Sequence, residues 1–150
     1  MAVYAKVINI LQDLIQLHTD RIDEYHRIIL ENTTSDLKVV FTELVRQSKE
    51  YRTELVECLG RMDLQMQEPT AIRQGSIFLM WSEEKESLMG SSRKSILEYC
   101  DLELYALKYA YEVATLLTED LDDIVHATIM RQLQGVTYVK DAVRTFYNAL

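Results

Sequence analysis

Apolar residues recur every three to four positions along four long stretches of this chain, and little interrupts them. The whole sequence holds four Gly and one Pro. A sandwich or barrel needs many tight turns and would use more of both. Long helices need almost none. The 3.6-residue period marks each stretch as an amphipathic helix with one face turned inward. Four such helices predict an all-α four-helix bundle.

The first helix is expected from about Val3 to Asn32, with Val7, Leu11, Leu14, His18, Ile22, Tyr25 and Ile29 inward. Asn32-Thr33-Thr34-Ser35 breaks it, and Ser35 or Asp36 can cap the next helix. That helix runs from about Asp36 to Asp63, with Leu37, Val40, Phe41, Leu44, Ser48, Tyr51, Leu55, Cys58 and Met62 inward. Pro69 and the polar residues before it end the pattern. A shorter helical piece is expected over Thr70 to Leu88, with Ile72, Phe78, Leu79 and Trp81 as its apolar members. Met89-Gly90-Ser91-Ser92 is a break and cap. The next long helix covers about Arg93 to Leu117, with Ile96, Cys100, Glu103, Leu107, Tyr111 and Ala114 inward. Thr118-Glu119-Asp120 is read as the cap of the last helix. That helix reaches about Asn148, with Val125, Ile129, Leu133, Val136, Val143 and Tyr147 inward.

The connections constrain the topology. Short links make the first two long helices antiparallel neighbours, and likewise the last two. The middle connection is far longer and carries a helix of its own. At 1.5 Å per residue, roughly 18 helical residues cover about 27 Å. Such a link can carry the chain back along the bundle and leave the second and third long helices parallel. This is the ferritin-like arrangement with one long crossover. An up-down-up-down bundle is the alternative, if the middle piece only packs on the side.

The chain is long enough, at 150 residues, for one domain with a real core. Its net charge of −8 and lack of a Lys/Arg block argue against nucleic acid or an anionic membrane as partner. No apolar run approaches the ~20 residues that span a bilayer. The N-terminus lacks the ordered regions of a secretory signal. Cys58 and Cys100 are too few for a disulfide framework and fall on inward faces, where free thiols are expected. A cytoplasmic location follows as the expectation.

The third long helix carries a second apolar stripe opposite its core stripe: Leu102, Tyr105, Tyr109, Val113 and Leu116. A solvent-facing side should be polar, so a second apolar face implies a second burial. The crossover helix is one candidate cover. A partner subunit is the other, which makes a homo-oligomer, a dimer, the expected assembly.

A bundle that binds two metal ions needs a Glu from each of two helices and a Glu-x-x-His pair from each of the other two. None of the three histidines, His18, His26 and His126, has a Glu three residues before it. Glu103 is the one acidic residue in the middle of a core stripe, and a buried carboxylate must be satisfied. The expected core polar layer is Glu103, Lys140, His18, Tyr51 and Arg21, with Lys140, Arg21, His18 or Tyr51 able to pair with the carboxylate. For His18 a hydrogen-bonded core histidine is preferred over a metal ligand. Phosphate-cradling glycine loops, a nucleophile elbow and CxxC are absent. Cys100 has no His in its stripe to act as a base.

Short motifs run the length of the chain: Asp20-x-Ile22-x-x-Tyr25, Glu50-x-x-x-Glu54-Leu55, Glu98-x-x-x-x-Glu103, Leu107-Lys108, Arg131-Gln132-Leu133-Gln134-Gly135-Val136 and Asp141-x-Val143-Arg144. In order and spacing they make the sequence similar to a bacterial family of ferritin-like four-helix-bundle proteins of unknown function. The resemblance implies a ferritin-like fold and a His directly before the aspartate of the last helix. Here that position is Lys140, which cannot serve as an ordinary ligand. A pairing of Glu103 with Lys140 is expected where a metal would sit.

The reading is a non-enzymatic interaction or stress-related accessory protein with no cofactor, no catalytic residues and a degenerate metal site. The alternative is a carboxylate-bridged di-iron or di-manganese protein for metal storage or oxidation. A third reading, from the Tyr-rich faces, is a binding module for a small apolar ligand.

Overall fold

Each apolar stripe becomes one buried face of a long helix in the computed structural model, which describes residues 2–31, 34–63, 81 and 92–148. Helix α1 spans Ala2–Glu31, α2 Ser35–Asp63, α3 Arg93–Thr118 and α4 Asp123–Asn148. The all-α four-helix bundle expected from the sequence is what forms. No described helix is long and apolar enough to cross a membrane.

The caps follow short polar side chains. Ser92 caps α3, accepting from Ser95 N at 3.1 Å. At α2 the N-cap is Thr34, and not Ser35 or Asp36 as expected: its carbonyl accepts the first helical bond from Lys38 N at 3.0 Å, and Ser35 and Asp36 already lie in the first turn. Asp36 accepts from Leu37 N at 2.8 Å and from the Thr34 hydroxyl. The start of α4 departs from expectation. Asp122, and not Thr118-Glu119-Asp120, holds the free amides, accepting from Ile124 N at 3.0 Å and Val125 N at 3.1 Å. Thr118 still belongs to α3, where its hydroxyl donates to Ala114 O at 2.8 Å.

The four helices form a ring in the order α1, α2, α4, α3, with α1/α4 and α2/α3 on the diagonals. Side-chain pairs fix their directions. Arg93 at the start of α3 reaches Asp36 at the start of α2, 2.8 Å away. Arg61 near the end of α2 reaches Asp122 beyond the end of α3, also at 2.8 Å. Helices α2 and α3 therefore run parallel, and each helix lies antiparallel to both its neighbours. The connection after Asp63 thus starts at one end of the bundle and returns to the other. The helical piece expected over Thr70 to Leu88, with Ile72, Phe78 and Leu79, lies outside the described residues. Trp81 alone is described: it is buried and packs against Tyr99 of α3, ring centroids 5.5 Å apart.

Every inward residue assigned to α3 is fully or almost fully buried. The α1 stripe is likewise sealed from Val7 to Tyr25, and Ile29 is half-buried. On α4 Val125, Ile129, Val136 and Val143 are buried and Leu133 half-buried; the side chain of Tyr147 lies outside the described set. Gly135 permits close packing of α4 on α2. A Cβ there would stand 2.0 Å from the Tyr51 hydroxyl oxygen.

Candidate functional site

Helix α1 places His18, Arg21 and Tyr25 on one face, since steps of three and four residues close one turn. Helix α3 places Cys100, Glu103 and Tyr111 on its own inward face. Because the helices are antiparallel, the two columns meet in reverse order. All six side chains have no exposed area.

One end of this layer is an ion pair. Arg21 Nε donates to Glu103 Oε1 at 2.7 Å, and the Tyr25 hydroxyl donates to the same oxygen at 2.5 Å. The Tyr25 oxygen also lies 3.2 Å from Cys100 Sγ, and the guanidinium stands 5.3 Å from the Tyr25 ring centroid. Burial pushes the Glu103 carboxyl up to about 7, against the downward pull of the Arg21 charge and the Tyr25 hydrogen bond. Burial raises the Tyr25 phenol well above its usual value, and nearby Cys100 and Glu103 add to this. Burial, then Glu103, pushes the Cys100 thiol up to about 12. A thiol held that firmly in its neutral form is no nucleophile.

The other end is a directed chain of hydrogen bonds through all four helices. Gln132 Nε2 lies 2.8 Å from Glu54 Oε1 and 3.3 Å from Tyr51 O, two acceptors, so that atom is the amide donor. Gln132 Oε1 must then accept, and Tyr111 donates to it at 2.6 Å. With its one proton committed, the Tyr111 oxygen accepts from His18 Nε2 at 2.8 Å. His18 Nδ1 is left without a proton and accepts from the Ser48 hydroxyl at 3.0 Å. His18 is thus a neutral imidazole of one defined tautomer. Burial, with the charges of Arg21 and Arg52, lowers its pKa well below the usual value. The chain surfaces at Glu54, paired with Arg131 at 2.7 Å.

The five residues expected in this layer do not all meet. Arg21 and Glu103 pair directly. His18 joins the hydrogen-bond chain, and Tyr51 enters through its backbone carbonyl and an edge-on ring contact with His18, centroids 5.9 Å apart. The expected pairing of Glu103 with Lys140 does not form. Glu103 points toward α1, whereas Lys140 reaches α3 from its other side. There it lies 3.8 Å from Asp101 and 6.0 Å from the Tyr105 ring centroid. Sequence reasoning missed Gln132, which is fully buried. Its signal was present, three residues after Ile129 and four before Val136 on the α4 stripe. Tyr25 and Tyr111 were read as apolar core, since periodicity cannot show where a hydroxyl ends.

Chemically, the layer is closed. Arg21 is paired with Glu103 through one nitrogen and one oxygen, the imidazole and thiol are neutral, and neither end of the layer's α1 and α3 columns reaches solvent. Glu103 Oε2 and the two terminal nitrogens of Arg21, however, have no hydrogen-bond partner among the described residues. Among the described residues no group of three or more His, Cys, Asp or Glu could hold a metal ion. Among the described residues the second apolar face of α3 is exposed instead: Leu102 is 41%, Tyr105 66%, Tyr109 55% and Leu116 75% exposed, while Val113 is half-buried against the core. Compared with protein-family models, with curated proteins and with solved structures, the chain matches none of them.

Proposed function

We propose that this chain is a non-enzymatic helical bundle that acts by binding protein through the outer face of α3, with an ion pair standing where a metal-carboxylate bundle would hold its ions. The observation that carries the reading is the contrast between two faces of one helix. The inner face of α3 holds its reactive groups at zero exposure, with Glu103 Oε1 taken by Arg21 and Tyr25. The outer face presents large apolar side chains to solvent, which usually marks an interaction surface. The ferritin-like label draws support from the parallel course of α2 and α3 and from the resemblance of the sequence motifs. A cytoplasmic setting is consistent with two free, buried cysteines.

The test is metal uptake. The purified chain is given ferrous iron, then manganese, in air, passed through a desalting column and assayed for bound metal. No stoichiometric retention is expected. Stoichiometric metal that is lost in Glu103→Ala would overturn the proposal in favour of a di-iron or di-manganese protein.

A further inference from the structure

The occupant of the α3 face can be named from its spacing. Relative to Tyr109, the five residues of the stripe stand at −7, −4, 0, +4 and +7, which is a palindrome. A two-fold axis perpendicular to α3 at Tyr109 reverses the helix and maps the stripe onto itself. Leu102 then shares a layer with Leu116 of the second copy, Tyr105 shares one with Val113, and Tyr109 meets its own equivalent. An isologous contact requires such self-complementarity.

The flanking charges obey the same symmetry. Lys108 and Glu112 lie on one flank of the stripe, and among the described residues neither has an ion-pair partner. Under this two-fold axis a flank faces its own equivalent. Lys108 of one copy and Glu112 of the other then differ by only about 3 Å in height, and the pair occurs twice. A parallel pairing would set the two Lys108 side chains on opposite flanks of the seam, each against the Ala106 side of the other helix, and would form no Lys108–Glu112 pair.

We propose that α3 pairs antiparallel with α3 of a second copy of this chain, with Tyr109 at the two-fold axis. The inference rests on the outer face of α3 being the interaction surface. The stripe is about 21 Å long and one helix, about 10 Å, wide. That footprint is small beside the ~800 Å² per partner of a standard interface, so the dimer is reversible and of micromolar affinity.

Sedimentation equilibrium from about 1 to about 500 µM should show a monomer–dimer equilibrium. Tyr109→Lys should weaken it about 30-fold or more, as expected for a central aromatic anchor. Tyr109 is more than half exposed in the monomer, so the fold should persist, checked by circular dichroism. Lys108→Glu should weaken the dimer and Lys108→Glu/Glu112→Lys should restore it. Orientation is read by mild oxidation. Tyr109→Cys should cross-link to itself. Leu102→Cys should cross-link with Leu116→Cys but not with itself, since its two copies stand about 21 Å apart. A chain that stays monomeric, a dimer insensitive to Tyr109→Lys, or self-linking of Leu102→Cys would each overturn the proposal. The metal assay separates this failure from the wider one. A monomer without metal removes only the second copy as partner, whereas a monomer with stoichiometric metal removes the interaction reading too.

Discussion

Removing the Glu103 carboxylate while leaving Arg21 in place should be among the most damaging single changes in this protein. Both side chains have no exposure, and Arg21 Nε and the Tyr25 hydroxyl converge on one carboxylate oxygen. Glu103→Leu keeps the volume roughly constant but strands a buried guanidinium and a buried phenol. Breaking a buried pair from one side costs about 3–5 kcal/mol. Against a total stability of roughly 5–15 kcal/mol, that is a large fraction. At about 2–4 °C per kcal/mol for a chain of this size, Tm should fall by about 6–20 °C. The companion change Arg21→Met/Glu103→Leu removes both charges. It should lie within about 1–2 kcal/mol of the parent, the remainder reflecting the Tyr25 hydroxyl that has lost its carboxylate. Urea unfolding followed by far-UV circular dichroism measures all four corners of the cycle, at a pH above the carboxyl's value of about 7. The expected coupling exceeds about 2 kcal/mol. A loss below about 1 kcal/mol for Glu103→Leu, or a double variant that loses the sum of the two singles, would refute the reasoning. The pair would then contribute nothing by being paired.

Three further outcomes can be checked. Burial raises the Glu103 carboxyl from 4.5 to about 7, so the folded state holds a proton that the unfolded chain has released in that window. Its contribution is fully present below 4.5 and is lost as pH rises through 7; parent stability relative to Glu103→Gln should decline across that range, and a flat difference would contradict the assignment. His18 carries a lowered pKa, so its ring should stay neutral with the proton on Nε2, and ¹⁵N NMR should show no titration through the usual imidazole range. The linked effect on stability has the opposite pH direction to that of Glu103. As pH falls below the usual histidine value, the unfolded chain takes up the proton that folded His18 refuses. Gly135→Ala gains up to ~1 kcal/mol of helix propensity but drives a methyl into the Tyr51 hydroxyl, which overpacking places at about 1–3 kcal/mol. The variant should be net destabilised, and Tyr51→Phe should relieve much of the loss; a stabilised Gly135→Ala in the parent would show that the contact yields freely.

The legible part of this protein was the part written in local order. A 3.6-residue period is a property of consecutive side chains, and it located the long helices to within a residue of their ends except at the start of α4, which was read from the Thr118 cap and begins at Asp123. It also gave the inward stripe of α3 from Ile96 to Ala114 without error. Two caps fell on neighbours of the expected residues, Thr34 rather than Ser35 or Asp36 at α2 and Asp122 at α4, and both reflect chemistry that several neighbouring residues could perform. Thr118, Asp120 and Asp122 can all accept from free amides, and only the path of the chain between α3 and α4 selects among them.

The partners of the buried polar groups were of another kind. The sequence by itself determined that Glu103 would be buried and would need a cation or donor, because its neighbours on the stripe are apolar. It did not determine which one. Arg21 and Lys140 are both basic and both near an inward face, and they stand on opposite sides of Glu103 in the chain. What chose Arg21 is the order of helices around the ring, which sets α1 against the face of α3 that carries Glu103 and α4 against the face that carries Asp101. The same holds for His18 and Tyr111, joined across a separation of 93 residues. Helix height and rotation are fixed by the packing of all four helices at once, so a contact that depends on them exists only in the assembled bundle.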